Sequence, residues 1–165
     1  MNLTAPTVLY VEDTPVNVLV MEALFNFLPD ARLTVARCGD EAWAVASTLD
    51  PALLLLDIDL PDCRGDDLLR RLRVLPGCLS VRAVAVTAEH RFDARAHGFD
   101  ECWAKPLNLG DVLQRLQALL GAALAPAQAF PERDEPSRDV LVERYTDFPE
   151  AGRTSRTPWT GAAVG

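Results

Sequence analysis

Residues 53–61 of the chain read Leu53-Leu54-Leu55-Leu56-Asp57-Ile58-Asp59-Leu60-Pro61. A short, continuous apolar run that is stopped by a turn signal such as proline is typical of a strand buried on both faces of a parallel sheet. Asp57 stands at the end of this run, and open α/β sheets bind their ligands beyond the carboxyl ends of their strands. The stretch therefore predicts a parallel sheet of α/β type and marks Asp57 as a candidate site residue.

Polar residues also follow the other predicted strands that surround this one. They are Glu12 and Asp13 after residues 7–11, Thr87 after residues 81–86, and Lys105 after residues 102–104. Because the carboxyl ends of parallel strands lie at one edge of a sheet, we expect these groups to meet beside Asp57. Three carboxylates in one crevice repel one another, which predicts a site for a hard divalent cation such as Mg²⁺. Thr87 and Lys105 would then face an anion that the cation also contacts, and a phosphoryl group on Asp57 fits that description.

The order and spacing of these motifs resemble the receiver domains of two-component response regulators. The matching residues are Glu12-Asp13, Asp57 with Pro61 and Gly65 behind it, Thr87-Ala88 and Lys105-Pro106, and the resemblance spans Thr7 to Leu124. It implies that Asp57 is the phosphoacceptor and that Thr87 and Lys105 bind phosphoryl oxygens. For the Mg²⁺ site it implies that Asp13 is a direct ligand and that Glu12 acts through water. The Asp59 backbone carbonyl is implied as a further ligand.

The rest of the chain alternates predicted strands with predicted helices. Strands are expected near residues 7–11, 32–36, 53–56, 81–86 and 101–104, and helices near residues 15–28, 40–49, 66–74, 89–97 and 109–124. This repeated βα pattern predicts a flavodoxin-like, doubly wound sheet of five parallel strands in the order 2-1-3-4-5, with helices on both faces. Asp66 follows Gly65 at a predicted helix start, where the helix dipole favours an acid.

The composition predicts one globular domain followed by a tail. Of the 165 residues, 49% are hydrophobic and 24% are charged, which is normal for a globular protein. We expect the domain over residues 5–125 and, over residues 126–165, a tail rich in proline and charge that is disordered. No apolar run approaches about 20 residues and no signal peptide is indicated, so the cytoplasm is the expected location, without a membrane partner.

The net charge of -8 argues against a nucleic acid partner. Nucleic acid binding usually needs a basic face, and both the domain and the tail are mildly acidic. We therefore expect a stand-alone receiver without a DNA-binding output domain. The resemblance implies a histidine kinase or a histidine phosphotransfer protein as the phosphodonor, and a downstream protein target that the sequence does not identify. A homodimer formed on phosphorylation is a further option.

Three functions stay open from the sequence. The first is a phosphorylation-dependent switch or phosphorelay carrier, which is not an enzyme beyond promoting its own phosphorylation and dephosphorylation. The second is a phosphatase of the haloacid dehalogenase type, because Asp57-Ile58-Asp59 after an apolar strand also matches the nucleophile motif of that superfamily. The third is an interaction module that works without phosphate. Cys102 stands where receiver domains carry an aromatic switch residue, and this departs from the family pattern.

Overall fold

The computed structural model describes residues 5–121 of the chain. Within these residues the strands are β1 (Thr7–Val11), β2 (Arg32–Ala36), β3 (Leu53–Asp57), β4 (Arg82–Thr87) and β5 (Glu101–Ala104). The helices are α1 (Pro15–Phe25), α2 (Gly39–Ala46), α3 (Gly65–Leu72) and α4 (Leu109–Leu120), with one turn of 3₁₀-helix at Pro76–Cys78. The predicted tail over residues 126–165 lies outside the described residues.

The strands form one sheet in which all neighbours are parallel. Their order is β2-β1-β3-β4-β5, which confirms the predicted flavodoxin-like topology. β1 and β3 are neighbours at the point where the order of the chain reverses, with Val8 opposite Leu53 and Val11 opposite Leu56. This register brings the residues that follow β1 level with the end of β3.

The leucine run forms β3, the central strand of the sheet. Leu53 and Leu55 face a core that includes α1 and α4, whereas Leu54 and Leu56 face a second core that includes α2 and α3. Each of the four side chains is at most 1% exposed. A strand covered by helices on both faces needs an apolar side chain at every position, which explains why the run does not alternate with polar residues.

The prediction of a helix near residues 89–97 is wrong. Residues 88–100, which connect β4 to β5, run through turns and contain no helix. Phe99 N–H donates to Ala94 O at 2.9 Å, and His97 N–H donates to the same carbonyl at 3.2 Å, so the hydrogen bonds close a turn but do not continue along a helix. This crossover is the shortest of the four. The connection has 13 residues, whereas the connection from β2 to β3, which carries α2, has 16. The length of this crossover is close to the minimum of about a dozen residues for a crossover between parallel strands, so little room is left for a helix.

Side chains anchor this crossover to the domain. Phe92 stacks on His97 with ring centroids 4.9 Å apart, and it meets Phe99 edge to face at 5.9 Å. His97 Nδ1 lies 2.8 Å from Asp66 Oδ2 in the first turn of α3. Asp66 is only 6% exposed. The acid that the sequence marks as a helix-start residue is therefore also a buried anchor for the crossover.

We expect the Asp66 carboxylate to stabilise the fold in a pH-dependent way. Burial raises the pKa of Asp66, but contacts with His97 and Arg64 outweigh it, and the pKa lies below its ordinary value. Such a group contributes stability above its unfolded pKa, and this stability is lost as the pH falls through the folded pKa. Asp66→Asn should lower the free energy of unfolding by about 1–2 kcal/mol at neutral pH, and this deficit should shrink below about pH 4.

Urea unfolding of the wild type and of Asp66→Asn from neutral pH into the acid range measures this difference. Asp67→Asn is the matched control, because Asp67 is the next residue of α3 but its side chain is 56% exposed. Exposed ion pairs contribute less than about 1 kcal/mol, so the control should lose little stability. A deficit in Asp66→Asn that stays constant into the acid range would contradict this role of the carboxylate.

Candidate functional site

The carboxyl edge of the sheet carries the polar residues that the sequence marks at strand ends. Asp57 ends β3, Glu12 and Asp13 directly follow β1, Thr87 ends β4, and Lys105 directly follows β5. One carboxylate oxygen from each of Glu12, Asp13 and Asp57 lies within 4.8 Å of the other two. Glu12 and Asp57 are buried, whereas Asp13 is exposed. The acidic cluster therefore reaches solvent on the side of Asp13.

Lys105 joins the two buried acids. Its Nζ atom lies 2.7 Å from Glu12 Oε2 and 2.7 Å from Asp57 Oδ2. Burial lowers the pKa of Lys105, but the hydrogen bonds and the attraction to the two carboxylates outweigh it and raise the pKa above its ordinary value. The Lys105 backbone N–H donates to Thr87 O at 2.8 Å. The lysine is thus a charged group whose backbone is fixed by the end of β4.

The groups around Glu12 keep it ionised. Tyr10 Oη donates to Glu12 Oε2 at 3.0 Å, and Thr14 N–H donates to Glu12 Oε1 at 3.2 Å. Burial raises the pKa of Glu12, but the contacts with Lys105, Asn17 and Thr14 outweigh it, and the pKa lies below its ordinary value. Burial and the adjacent Glu12 charge raise the pKa of Tyr10, so the phenol stays a neutral hydrogen-bond donor.

The neighbouring groups stabilise the ionised form of Asp57 less than they stabilise that of Glu12. Burial raises the pKa of Asp57, and the nearby Glu12 charge adds to this effect. Lys105 acts in the opposite direction, as does Asp59 N–H, which donates to Asp57 Oδ1 at 3.2 Å, yet the pKa of Asp57 lies above its ordinary value. The side chain of Asp59 itself is exposed. An additional positive charge beside Asp57 would favour its ionised form, so the site is short of positive charge.

Thr87 lies on the β4 side of the same edge. It is fully buried, and its Oγ1 atom accepts a hydrogen bond from Glu89 N–H at 3.0 Å. A hydroxyl group is both an acceptor and a donor, so this contact leaves the Thr87 hydrogen to be donated to an oxygen bound near Asp57. Thr87 therefore has the chemistry to bind an anion at this edge.

Arg64 connects two loops beside the site and is not among the sequence-predicted residues. Its Nη1 and Nη2 atoms both donate to Glu89 Oε1 at 3.2 Å, and its Nε atom donates to Asp66 Oδ1 at 3.2 Å. The sequence feature that could have marked Arg64 is its positive charge next to the start of a predicted helix. Arg64 is the N-cap residue of α3, where the helix dipole disfavours a cation. A cation at this position needs acidic partners, and Arg64 contacts two of them.

Gly65 lets α3 begin directly against the end of β3. A Cβ atom on Gly65 would lie 2.2 Å from Asp57 O. Gly65 N–H donates to Ile58 O at 3.0 Å, which holds the start of the helix against the strand. Glycine is therefore required at this position by the backbone that carries Asp57.

We expect Gly65→Ala to lower the free energy of unfolding by about 2 kcal/mol or more, because the added methyl group overlaps backbone atoms. Gly110→Ala in α4 is the control, since its added Cβ would meet its nearest atom at 3.4 Å. Alanine is also the better helix former by about 1 kcal/mol, so the control should keep or gain stability. Urea unfolding of both variants makes the comparison, and an equal response would show that the close approach does not constrain the fold.

A family model covers most of the described part of the chain. The model, described as response regulator receiver domain, matches residues 8–117. The chain belongs to this family. Receiver domains are signalling modules of two-component systems, which agrees with the resemblance read from the sequence.

Curated relatives match the receiver domain over part of their own length. The chain is 35% identical to the probable transcriptional regulatory protein TcrX of Mycobacterium tuberculosis over 118 residues. This match covers 69% of the chain. It is 28% identical to the virulence sensor protein BvgS of Bordetella pertussis over 141 residues, and this match covers 80% of the chain. The chain spans 49% of TcrX and 11% of BvgS, so both relatives contain further parts that it does not match.

Solved receiver structures share the fold. The receiver domain of the sensor histidine kinase PA1611 from Pseudomonas aeruginosa is 29% identical, with a TM-score of 0.64 over 72% of this chain and 99% of that chain. Its structure has a magnesium ion coordinated in the active site cleft. The chemotaxis response regulator CheY4 of Vibrio cholerae is 21% identical, with a TM-score of 0.64 over 70% of this chain and 99% of that chain, and this likeness shows the fold alone. Among residues 5–121, no helix is long and apolar enough to cross a membrane.

Proposed function

We propose that this chain is a phosphorylation-dependent signalling receiver that accepts a phosphoryl group on Asp57. The contact that carries the proposal is the one between Lys105 Nζ and Asp57 Oδ2, at 2.7 Å, at the carboxyl edge of the sheet. An ammonium group in this position is close enough to bind an oxygen of a phosphoryl group attached to Asp57. Membership of the receiver family supports the same role.

The acidic cluster fits Mg²⁺ as the cofactor. Glu12, Asp13 and Asp57 offer carboxylate oxygens within 4.8 Å of one another, and Mg²⁺ prefers oxygen ligands and keeps several of its waters. We assign Asp13 and Asp57 as direct ligands, Glu12 as a ligand through water, and the Asp59 backbone carbonyl as a further ligand. When bound, Mg²⁺ neutralises charge on the oxygens of the transferring group. The magnesium ion in the cleft of the PA1611 receiver domain supports this assignment.

The chain contributes positioning and electrostatics to the transfer. A carboxylate oxygen of Asp57 attacks the phosphorus of a phosphohistidine, and the new O–P bond forms as the P–N bond breaks. The bonding electron pair leaves with the imidazole of the donor, which is then protonated. Lys105 moves its contact from Asp57 to a phosphoryl oxygen, and Thr87 donates its hydroxyl hydrogen to another. Because Asp57 and Thr87 are buried, these groups and not bulk water meet the charge of the phosphoryl group.

The proposed partners are proteins. The phosphodonor is a histidine kinase or a histidine phosphotransfer protein, and the signal is passed on to a downstream protein target. The chain acts in the cytoplasm as a response-regulator receiver or phosphorelay carrier, and it does not itself bind nucleic acid. It promotes only its own phosphorylation and dephosphorylation. A homodimer formed on phosphorylation is one route by which the signal is passed on.

Helix α1 offers the phosphodonor an apolar surface beside the site. Val16 and Leu19 are 65% and 63% exposed, although both are large hydrophobic residues. Asn17 and Val20 of the same helix line a pocket together with Lys105. A donor protein that packs on α1 is therefore placed next to the lysine that contacts the phosphoacceptor.

We expect the purified chain to gain the mass of one phosphoryl group when it is incubated with Mg²⁺ and acetyl phosphate. Asp57→Asn should gain none, because it lacks the nucleophilic oxygen, and chelation of the metal should abolish the gain in the wild type. Asp67→Asn is the matched control and should behave as the wild type, since its side chain is exposed on α3. Intact mass spectrometry makes the measurement. No adduct with steady release of phosphate would favour the phosphatase hypothesis, and no adduct without release would favour the interaction module.

The variant Val16→Ala with Leu19→Ala should slow phosphoryl transfer from a protein donor by about three- to tenfold, because two apolar contacts of the interface are truncated. Its phosphorylation by acetyl phosphate should be unchanged, since a small donor does not need α1. Val74→Ala with Leu79→Ala is the control, because these residues are similarly exposed, at 68% and 62%, in the connection between α3 and β4. The measurement is the transfer rate from a histidine-phosphorylated donor that modifies the wild type. Equal slowing by both pairs would argue against α1 as the docking surface.

A further inference from the structure

The contact between Arg64 and Glu89 joins two loops beside the phosphoacceptor. Arg64 lies in the connection between β3 and α3, and Glu89 lies at the start of the crossover between β4 and β5. Both Nη atoms of Arg64 lie 3.2 Å from Glu89 Oε1. The contact therefore spans the connections that follow Asp57 and Thr87, which are two of the residues proposed to hold the phosphoryl group.

Arg64 is held in place from its own side of the site. Its Nε atom donates to Asp66 Oδ1 at 3.2 Å, and Asp66 is only 6% exposed. Its backbone pairs with Asp59 in an isolated β-bridge, and Asp59 N–H donates to Asp57 Oδ1 at 3.2 Å. The guanidinium group is a planar fork, so two carboxylates on different edges fix its orientation. Arg64 is thus held on its own side of the site by one side-chain contact and one backbone contact.

Glu89 is tied to the site through its backbone. Its N–H donates to Thr87 Oγ1 at 3.0 Å. When Glu89 stays in place, the Thr87 oxygen keeps this donor and its own hydrogen is left for a phosphoryl oxygen. A Glu89 carboxylate released from Arg64 would add negative charge beside the phosphoryl group. It would also be able to accept a hydrogen bond from a water molecule and orient that water towards phosphorus.

The phosphoryl group is lost from Asp57 by hydrolysis. The water oxygen forms a bond to phosphorus while the bond between phosphorus and the Asp57 oxygen breaks. The electron pair of the broken bond stays on the Asp57 carboxylate, and both hydrogens of the water end on the released phosphate. A group that keeps Thr87 in place as a donor, and keeps Glu89 away from this water, slows the step.

We propose that Arg64 is a positioning residue that lengthens the life of the phosphoryl group on Asp57 by holding Glu89 and, through it, the Thr87 hydroxyl. The inference rests on the proposed function, because it concerns the phosphorylated form of Asp57. Arg64 does not contact the phosphoryl group and acts through Glu89 alone. Its effect therefore depends on the presence of the Glu89 carboxylate, which makes the inference open to a double-variant test.

The experiment follows the decay of the phosphorylated chain by intact mass after acetyl phosphate is removed. Arg64→Ala should shorten the half-life by about two- to fivefold, the range expected when one exposed ion pair is lost. The half-life in Arg64→Lys should lie between those of the wild type and Arg64→Ala, because an ammonium group keeps the positive charge but cannot form the planar fork of a guanidinium group. In a Glu89→Ala background, Arg64→Ala should cause no further change, because the ion pair is already absent.

Arg71→Ala is the matched control. Arg71 lies in α3, its side chain is 45% exposed against 48% for Arg64, and it pairs with Asp40 at 2.7 Å. Its loss should leave the half-life unchanged. Urea unfolding checks that each variant is folded, and Arg64→Lys keeps the test available where Arg64→Ala does not fold.

The possible results separate the two proposals. A half-life that is unchanged in Arg64→Ala, or shortened equally with and without the Glu89 carboxylate, would overturn the role of Arg64 and leave the proposed function intact. Absence of an adduct on the wild type would overturn both. A shorter half-life that requires the Glu89 carboxylate is the expected result.

Discussion

At the carboxyl edge of the sheet, the single ammonium group of Lys105 contacts two buried carboxylates. Glu12 and Asp57 are 0% and 4% exposed, and Lys105 Nζ lies 2.7 Å from both. Two buried acids side by side are costly without a cation, because solvent cannot screen their repulsion. The strands that precede these three residues must therefore end at the same level of the sheet. The register of β1 against β3, and the backbone bond from Lys105 to the end of β4, meet that requirement.

The fold and the position of the site could be predicted because both depend on simple features of the sequence. A strand buried on both faces is apolar throughout, and four successive leucines satisfy that condition in β3. The polar residues that interrupt the apolar runs then come at the ends of parallel strands. Since parallel strands share one edge for their carboxyl ends, residues far apart in sequence are brought together by topology alone. The position of the site therefore does not depend on the details of side-chain packing.

The crossover between β4 and β5 could not be predicted in the same way. Residues 89–97 have a composition that a helix tolerates, and local preference favours one there. The connection is the shortest of the four and leaves little room for a helix, and its length depends on where the two strands end. The contacts that hold the crossover join His97 to Asp66 and Arg64 to Glu89, residues that are 31 and 25 positions apart. Such contacts between loops follow no period, so periodicity analysis does not find them.

The crossover between β4 and β5 has no helix, so a signal that starts at the proposed phosphoacceptor would meet a loop there. Its attachments include an exposed ion pair, the contact of His97 with Asp66, and the packing of Phe92 and Phe99, and its last residue, Asp100, is hydrogen-bonded to Ala83. Segments with few buried apolar contacts open locally at a lower free energy than the whole domain. A phosphoryl group brings close to two negative charges next to the start of this segment. On the proposed function, the phosphoryl charge would therefore act on a loop that opens at low cost, and no rigid helix would have to move as a body.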